Sequence, residues 1–150
     1  MRFFVLIALL ATWSVTAEAE RFGNLNFSDI FNVRVQINDQ ADGACWTNLK
    51  EAREYAEEKF RINGVNLSKG DPSWLDRSYD FRITVNAARV YQDGGGPCFG
   101  YTDIRLVTFA KVNEHYHLAS GYEEFAALLQ NDNFNKFIIE RIGKFFAEMK

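Results

Sequence analysis

The chain holds little cysteine, histidine or proline, no excess of positive charge and, beyond its first residues, no long apolar run. Each shortage excludes something. With 17 Lys and Arg against 20 Asp and Glu, a formal net charge of −3 over 150 residues, there is no basic footprint for nucleic acid or anionic lipid, and nucleic acid is not expected as a partner. Two histidines, His115 and His117, fall short of the three or four ligands of a zinc site, so no metal and no cofactor are expected. No segment repeats and no tract is of low complexity. What the chain does have is apolar substance, 47% hydrophobic and 15% aromatic residues, far from a disordered composition. A chain of this size forms one domain and buries about two-thirds of its unfolded surface.

The one strongly apolar run lies at the start, where MRFFVLIALLATWSVTAEA places Arg2 before Phe3 to Trp13 and then the small-residue pattern Ala17-Glu18-Ala19. This predicts a secretory signal, residues 1–19, cleaved after Ala19, and a single globular domain over 20–150. The run is shorter than the roughly 20 apolar residues that span a bilayer, so no integral membrane span is expected after cleavage. No cysteine follows the cut, which argues against a lipid-anchored lipoprotein. The expected location is periplasmic or extracellular.

Two cysteines, Cys45 and Cys98, remain in a chain read as exported. An even count in an oxidising compartment predicts one disulfide between them. In the chain-entropy model, closing a loop of that length contributes roughly 4 kcal/mol.

Past the signal, Arg21 to Asp29 scatters Phe22, Leu25 and Phe27 among polar residues and reads as an arm laid over the domain. From Phe31 the alternation is sharp, with Phe31, Val33, Val35 and Ile37 on one side and Asn32, Arg34, Gln36 and Asn38 on the other, which is a half-buried strand. Turn chemistry over Asn38 to Gly43 leads to a helix over about 47–62, capped by Thr47, with Leu49, Ala52, Ala56 and Phe60 at helical spacing. Its other face, Lys50, Glu51, Arg53, Glu54, Glu57 and Glu58, reads as solvated. Asn63-Gly64 ends the helix and Val65 to Leu67 is a short strand. A loop containing Asp71-Pro72 and Trp74 follows.

Two long alternating limbs then predict a hairpin over about 79–91 and 99–112, joined by Asp93-Gly94-Gly95-Gly96-Pro97-Cys98. Residues 113–118 read equally as a bend or as more strand. Ser120 with Glu123 has the form of a capping box, so a helix is expected over about 121–130, and a second over about 133–149 carries Phe134, Phe137, Ile138, Ile142, Phe145, Phe146 and Met149. This order predicts an α+β two-layer sandwich, a mixed or antiparallel sheet of 3–4 strands built on the hairpin, with the three helices packed mainly on one face. If the first helix is a right-handed crossover, the strands it joins are parallel. In element order the chain resembles envelope domains such as the lipopolysaccharide-assembly lipoproteins and the amino-terminal domain of the Tol translocation protein, a likeness that implies an envelope binding or assembly role.

A second reading starts from Gly43-Ala44-Cys45-Trp46 at a helix start, with His115 and His117 downstream. A helix dipole lowers a thiol's pKa, and a histidine across the site would serve as its base. The Cys-then-His order resembles papain-like folds and small cell-wall amidases, and the resemblance implies Cys45 as nucleophile and His115 or His117 as base. A disulfide would remove that chemistry. Asp80, Asp93 and Asp103 are candidates for a paired acid and base near the hairpin loop. Strand alternation sends some aromatics outward, and Trp74, Tyr91, Phe99 and Tyr101 are the candidate binding surface.

The leading expectation is an exported, periplasmic, non-enzymatic binding or assembly module with one disulfide. Its partner would be another envelope or secreted protein, or a small ligand. The alternatives are a small Cys-His hydrolase of cell-wall peptide and a secreted inhibitor or immunity-type protein.

Overall fold

The computed structural model describes residues 25–70, 78–91, 95–112 and 115–149, and of 109–112, 115–118 and 120–122 the backbone alone. The signal segment, Trp74, Asp93 and Gly94 lie outside the described residues. A short 3-10 turn, Phe27–Asp29, precedes β1 (Asn32–Ala41), α1 (Leu49–Ile62), β2 (Asn66–Leu67), β3 (Ser78–Arg89), β4 (Cys98–Val112), β5 (His115–Gln130) and α2 (Asn135–Glu148).

The strands form one mixed five-stranded sheet in the order β2-β1-β3-β4-β5. β1 is parallel to both β2 and β3, while β3-β4 and β4-β5 are antiparallel. The α+β class is as the alternation and helical spacings imply, and α1 is the crossover that makes β1 and β2 parallel. The strand count is five, above the three or four expected.

The additional strand corrects the helix expected over 121–130, which is the second half of β5. Ser120 and Glu123 are paired strand residues opposite Val107 and Arg105, so they form no capping box. Burial there alternates: Glu124, Ala126 and Leu128 face inward, while Glu123, Phe125, Ala127 and Leu129 face out. The adjacent pairs Glu-Glu, Ala-Ala and Leu-Leu hide this period of two, and Phe125, Leu128 and Leu129 imitate helical spacing. Pairing along β4 overrides the local preference.

Both helices cover the same face of the sheet. Ala52, Ala56 and Phe60 of α1 and Ile138, Ile142, Phe145 and Phe146 of α2 are buried, as the spacing requires. They close on Val33, Val35, Phe81, Ile83, Val85, Ile104 and Leu106. An aromatic cluster sits at the centre, with Phe60 and Phe145 edge-on to Phe81 at 5.2 and 4.9 Å between centroids. Phe27 stacks on Phe146 at 5.9 Å, so the described part of the arm is laid over the core.

One end of the molecule is tied together. Cys45 and Cys98 form a disulfide with Cα atoms 5.6 Å apart, at a sequence separation of 53. The Phe134 amide donates to the Cys45 carbonyl at 2.7 Å. Thr47 does not cap α1: its amide donates to Asn135 Oδ1 at 2.9 Å and its hydroxyl accepts from Asn135 Nδ2 at 2.8 Å, leaving Asn48 at the cap. Arg89 donates to the carbonyls of Gly43 and Gly96 at 3.0 and 2.8 Å, joining two loops. At the opposite end β4 and β5 run on past β3, whose ladder with β4 stops at Asp80 and Val107.

Candidate functional site

The helices leave the other face of the sheet open, and the register writes out its contents in rows. Arg34, Asp80 and Val107 form the first row, and Gln36, Arg82, Arg105 and Glu123 the second. Asn38, Thr84, Asp103 and Phe125 follow, then Gln40, Asn86, Tyr101 and Ala127, and at the disulfide end Ala88, Phe99 and Leu129. The face is therefore charged at one end and apolar along the β4-β5 side of the other.

The apolar strip is exposed although its residues are large. Phe99, Tyr101, Phe125 and Leu129 are 47, 37, 61 and 70% accessible. Tyr101 and Phe125 stack with centroids 5.4 Å apart. The strip borders β5, the last strand of the sheet, whose outer backbone groups have no strand neighbour among the described residues. Edges of this length are commonly blunted by lysine or proline, and 115–130 contains neither, nor any arginine. Its one inward-pointing charge, Glu124, is held by Arg141 and Lys144 of α2.

At the charged end, Asp80 is 4% exposed and saturated with donors. Arg34 forks onto it through Nε and Nη2 at 2.9 and 3.0 Å, Arg82 Nη2 donates at 3.1 Å and Gln36 Nε2 at 3.2 Å. Arg105 donates through Nε to Asp103 at 2.9 Å and through Nη2 to Glu123 at 2.9 Å. The bond to Asp103, with the added charge of Glu123, holds the Arg105 guanidinium above its ordinary pKa. Around them lies a depression of about 640 Å³, lined by Arg34, Arg53, Arg82 and Arg105 together with Asp103, Gln36, Asn38 and Thr84.

Arg53 reaches it from α1. β2 covers only the first residues of β1, so the Val35 carbonyl meets no strand, and Arg53 Nη1 donates to it at 2.6 Å. A residue expected only to solvate a helix face thus closes a sheet edge.

The residues singled out in the sequence are distributed as follows. Cys45 and Cys98 are fully buried in the disulfide, and no cysteine is free. Cys45 therefore has no thiolate with which to attack a substrate. His115 and His117 pair with Val112 and Ala110, at the far end of β4 from Cys98. Twelve strand positions, roughly 40 Å at 3.3 Å per residue, separate Ala110 from Cys98, so the sheet does not bring either histidine to Cys45. Asp80 and Asp103 do not form an acid and base pair, because each is bonded to arginine. Phe99 and Tyr101 share the open face, and Tyr91 lies in the β3-β4 loop, where its ring covers Gly96. Trp74 lies outside the described residues.

Sequence reading missed Phe125 and Leu129, placed in a helix, and the four arginines. Each arginine stands alone in the chain, and only the register brings Arg82 opposite Arg105. Among the described residues no group of three or more His, Cys, Asp or Glu is arranged to hold a metal ion. No helix of the described residues is long and apolar enough to cross a membrane.

This geometry defines a class: a disulfide-tied α+β domain with helices on one face of a mixed sheet and an open second face. No protein-family model and no curated protein matches the chain. Among solved structures it is similar to a minor lipoprotein from Acinetobacter baumannii, at 10% identity and a TM-score of 0.33, over 77% of this chain and 89% of that one. It is also similar to the rare lipoprotein B from Shewanella oneidensis, at 12% identity and a TM-score of 0.26, over 75% of this chain and 82% of that one. Likeness at this level carries no argument about activity or partners.

Proposed function

We propose that the chain is an exported binding or assembly module, without enzymatic activity of its own, that engages another protein of the same compartment through the β4-β5 side of its open sheet face. The observation that carries this reading is the exposed strip of Phe99, Tyr101, Phe125 and Leu129 beside an edge strand without lysine, arginine or proline. Large apolar groups in water at a contiguous site cost solvation that a partner's surface recovers, and such patches mark interaction sites. The partner suited to it offers an extended segment that hydrogen-bonds to β5 and sets apolar side chains on the strip. Glu123, beside the strip on β5, favours a basic residue in that segment. The buried disulfide supports the non-enzymatic part, since it occupies the thiol that hydrolase chemistry would need.

The reading is tested by placing a photo-crosslinking amino acid at position 125 or 129 in cells that export the protein, with positions 54 and 61 of α1 as controls. One discrete adduct, common to 125 and 129 and missing from the helix controls, is expected. Adducts that are absent, or the same from both faces, refute it.

A further inference from the structure

The charged end of the open face carries a second feature, independent of the apolar strip. Arg82 and Arg105 stand directly opposite each other on β3 and β4. Like charges in that relation destabilise a sheet. Where a chain breaks a local rule without an evident structural gain, function is the usual reason. Three neighbouring carboxylates are shared among Arg34, Arg82 and Arg105. Asp80 takes both donors of the Arg34 fork and one from Arg82, and Asp103 and Glu123 take Arg105. Arg82 Nε is buried and has no hydrogen-bond partner. A buried donor left without an acceptor costs about 1–3 kcal/mol, a second local cost beside the like-charge pairing.

Among the described residues Arg53 makes one hydrogen bond, to the Val35 carbonyl, and no ion pair with a carboxylate, and because it is exposed its remaining N–H groups are open to a ligand. Arg53, Arg82 and Arg105 come from a helix, a central strand and the next strand, and they line one depression together with Arg34 and Asp103. In a chain whose net charge is −3, this concentration of arginine is local and is not a consequence of composition.

We propose that this depression binds a phosphate group, with Arg53 and Arg82 as its principal donors and Arg105 at the rim. Arginine's planar fork matches oxyanions, and a phosphate's three terminal oxygens can accept from guanidiniums on different sides where a carboxylate's two cannot. The phosphate supplies a counter-charge for Arg53, with which no carboxylate of the described residues is ion-paired. Its carrier is either a soluble phosphoester or the headgroup of a phospholipid.

The test uses the disulfide-bonded, ¹⁵N-labelled protein, titrated with inorganic phosphate and pyrophosphate, with sodium chloride at matched ionic strength as control. Saturable shifts of the Arg53 and Arg82 Nε–Hε resonances are expected with both phosphates and not with chloride. Arg53→Gln should weaken binding by about tenfold or more. Arg61→Gln, which changes an exposed arginine of the same helix, should leave it unchanged. If Arg53→Gln fails to fold, Asn38→Glu places a carboxylate in the depression without removing any arginine and should weaken binding as much. Shifts that follow ionic strength alone, or equal losses in R53Q and R61Q, overturn the proposal. Vesicles of phosphatidic acid and of phosphatidylcholine then identify the carrier. R53Q-sensitive flotation with the first alone assigns a lipid headgroup, and pyrophosphate binding without flotation assigns a soluble phosphoester.

Discussion

At Gly100 a single hydrogen stands where any other residue would place a carbon. A Cβ built there would lie 2.0 Å from the Asn86 carbonyl oxygen and 2.7 Å from the Ala87 Cα, both backbone atoms of the paired strand. Neither can move without separating β3 from β4. Gly100→Ala is therefore expected to destabilise the fold by about 3 kcal/mol or more, read as a lowered urea midpoint. Gly70, whose Cβ would meet nothing within 4 Å, is the control, and Gly70→Ala should change stability by less than about 1 kcal/mol. Ala44 is the reverse case, a residue with a Cβ at φ 57°, where glycine is the usual occupant. It follows Gly43 at φ 61°, and the two left-handed residues turn the chain from β1 into Cys45.

At the scale of elements, α2 is pinned to β5 by charge as well as by its apolar stripe. Glu124 points inward from an edge strand and accepts from Arg141 and from Lys144 Nζ, the latter at 3.2 Å. The bond to Glu124 and the charges of Glu124 and Glu148 raise the Lys144 pKa above its ordinary value. A cation whose folded pKa is raised contributes stability that is fully present below the unfolded pKa, roughly 10.4 for lysine, and is lost as pH rises through the folded value. The melting temperature of Lys144→Met should thus lie below that of the native chain by a constant margin between about pH 6 and 9, with the margin closing above roughly pH 10.4. A margin that persisted unchanged above that pH would assign the effect to lost packing instead. Because Lys144 is solvent-facing, raised salt should reduce the margin.

For the whole molecule, the disulfide decides how firmly one end of the sandwich is held. It connects the entrance of α1 to the start of β4, and the same neighbourhood holds the start of α2 through Phe134 and Asn135. Replacing both cysteines by alanine should lower stability by roughly 3–5 kcal/mol, measured by denaturant unfolding against the oxidised chain. The loss should be larger than that of any single substitution on the open face, where no core contact is broken. Two-state unfolding with a denaturant slope no smaller than that of the oxidised chain would show that the sandwich itself survives, since loss of the crosslink leaves a more expanded unfolded chain.

Two kinds of information were legible in the residues alone. Alternation over Val33 to Ile37, Tyr79 to Ala87 and Ile104 to Val112 specifies β1, β3 and β4, because one face of each strand must leave water and the side-chain period of a strand is two. Helical spacing in Ala52, Ala56, Phe60 and in Ile138, Ile142, Phe145 does the same for α1 and α2. An even pair of cysteines, with nothing else to join, led to the bond between Cys45 and Cys98. The tertiary structure alone decided that 121–130 is a strand, because a segment of mixed period takes the form its neighbour offers, and β4 offers an open ladder. It alone set Tyr101 against Phe125 and Arg82 opposite Arg105, and brought Arg53 to the same depression. Register is a relation between distant segments, and no spacing along the chain encodes it.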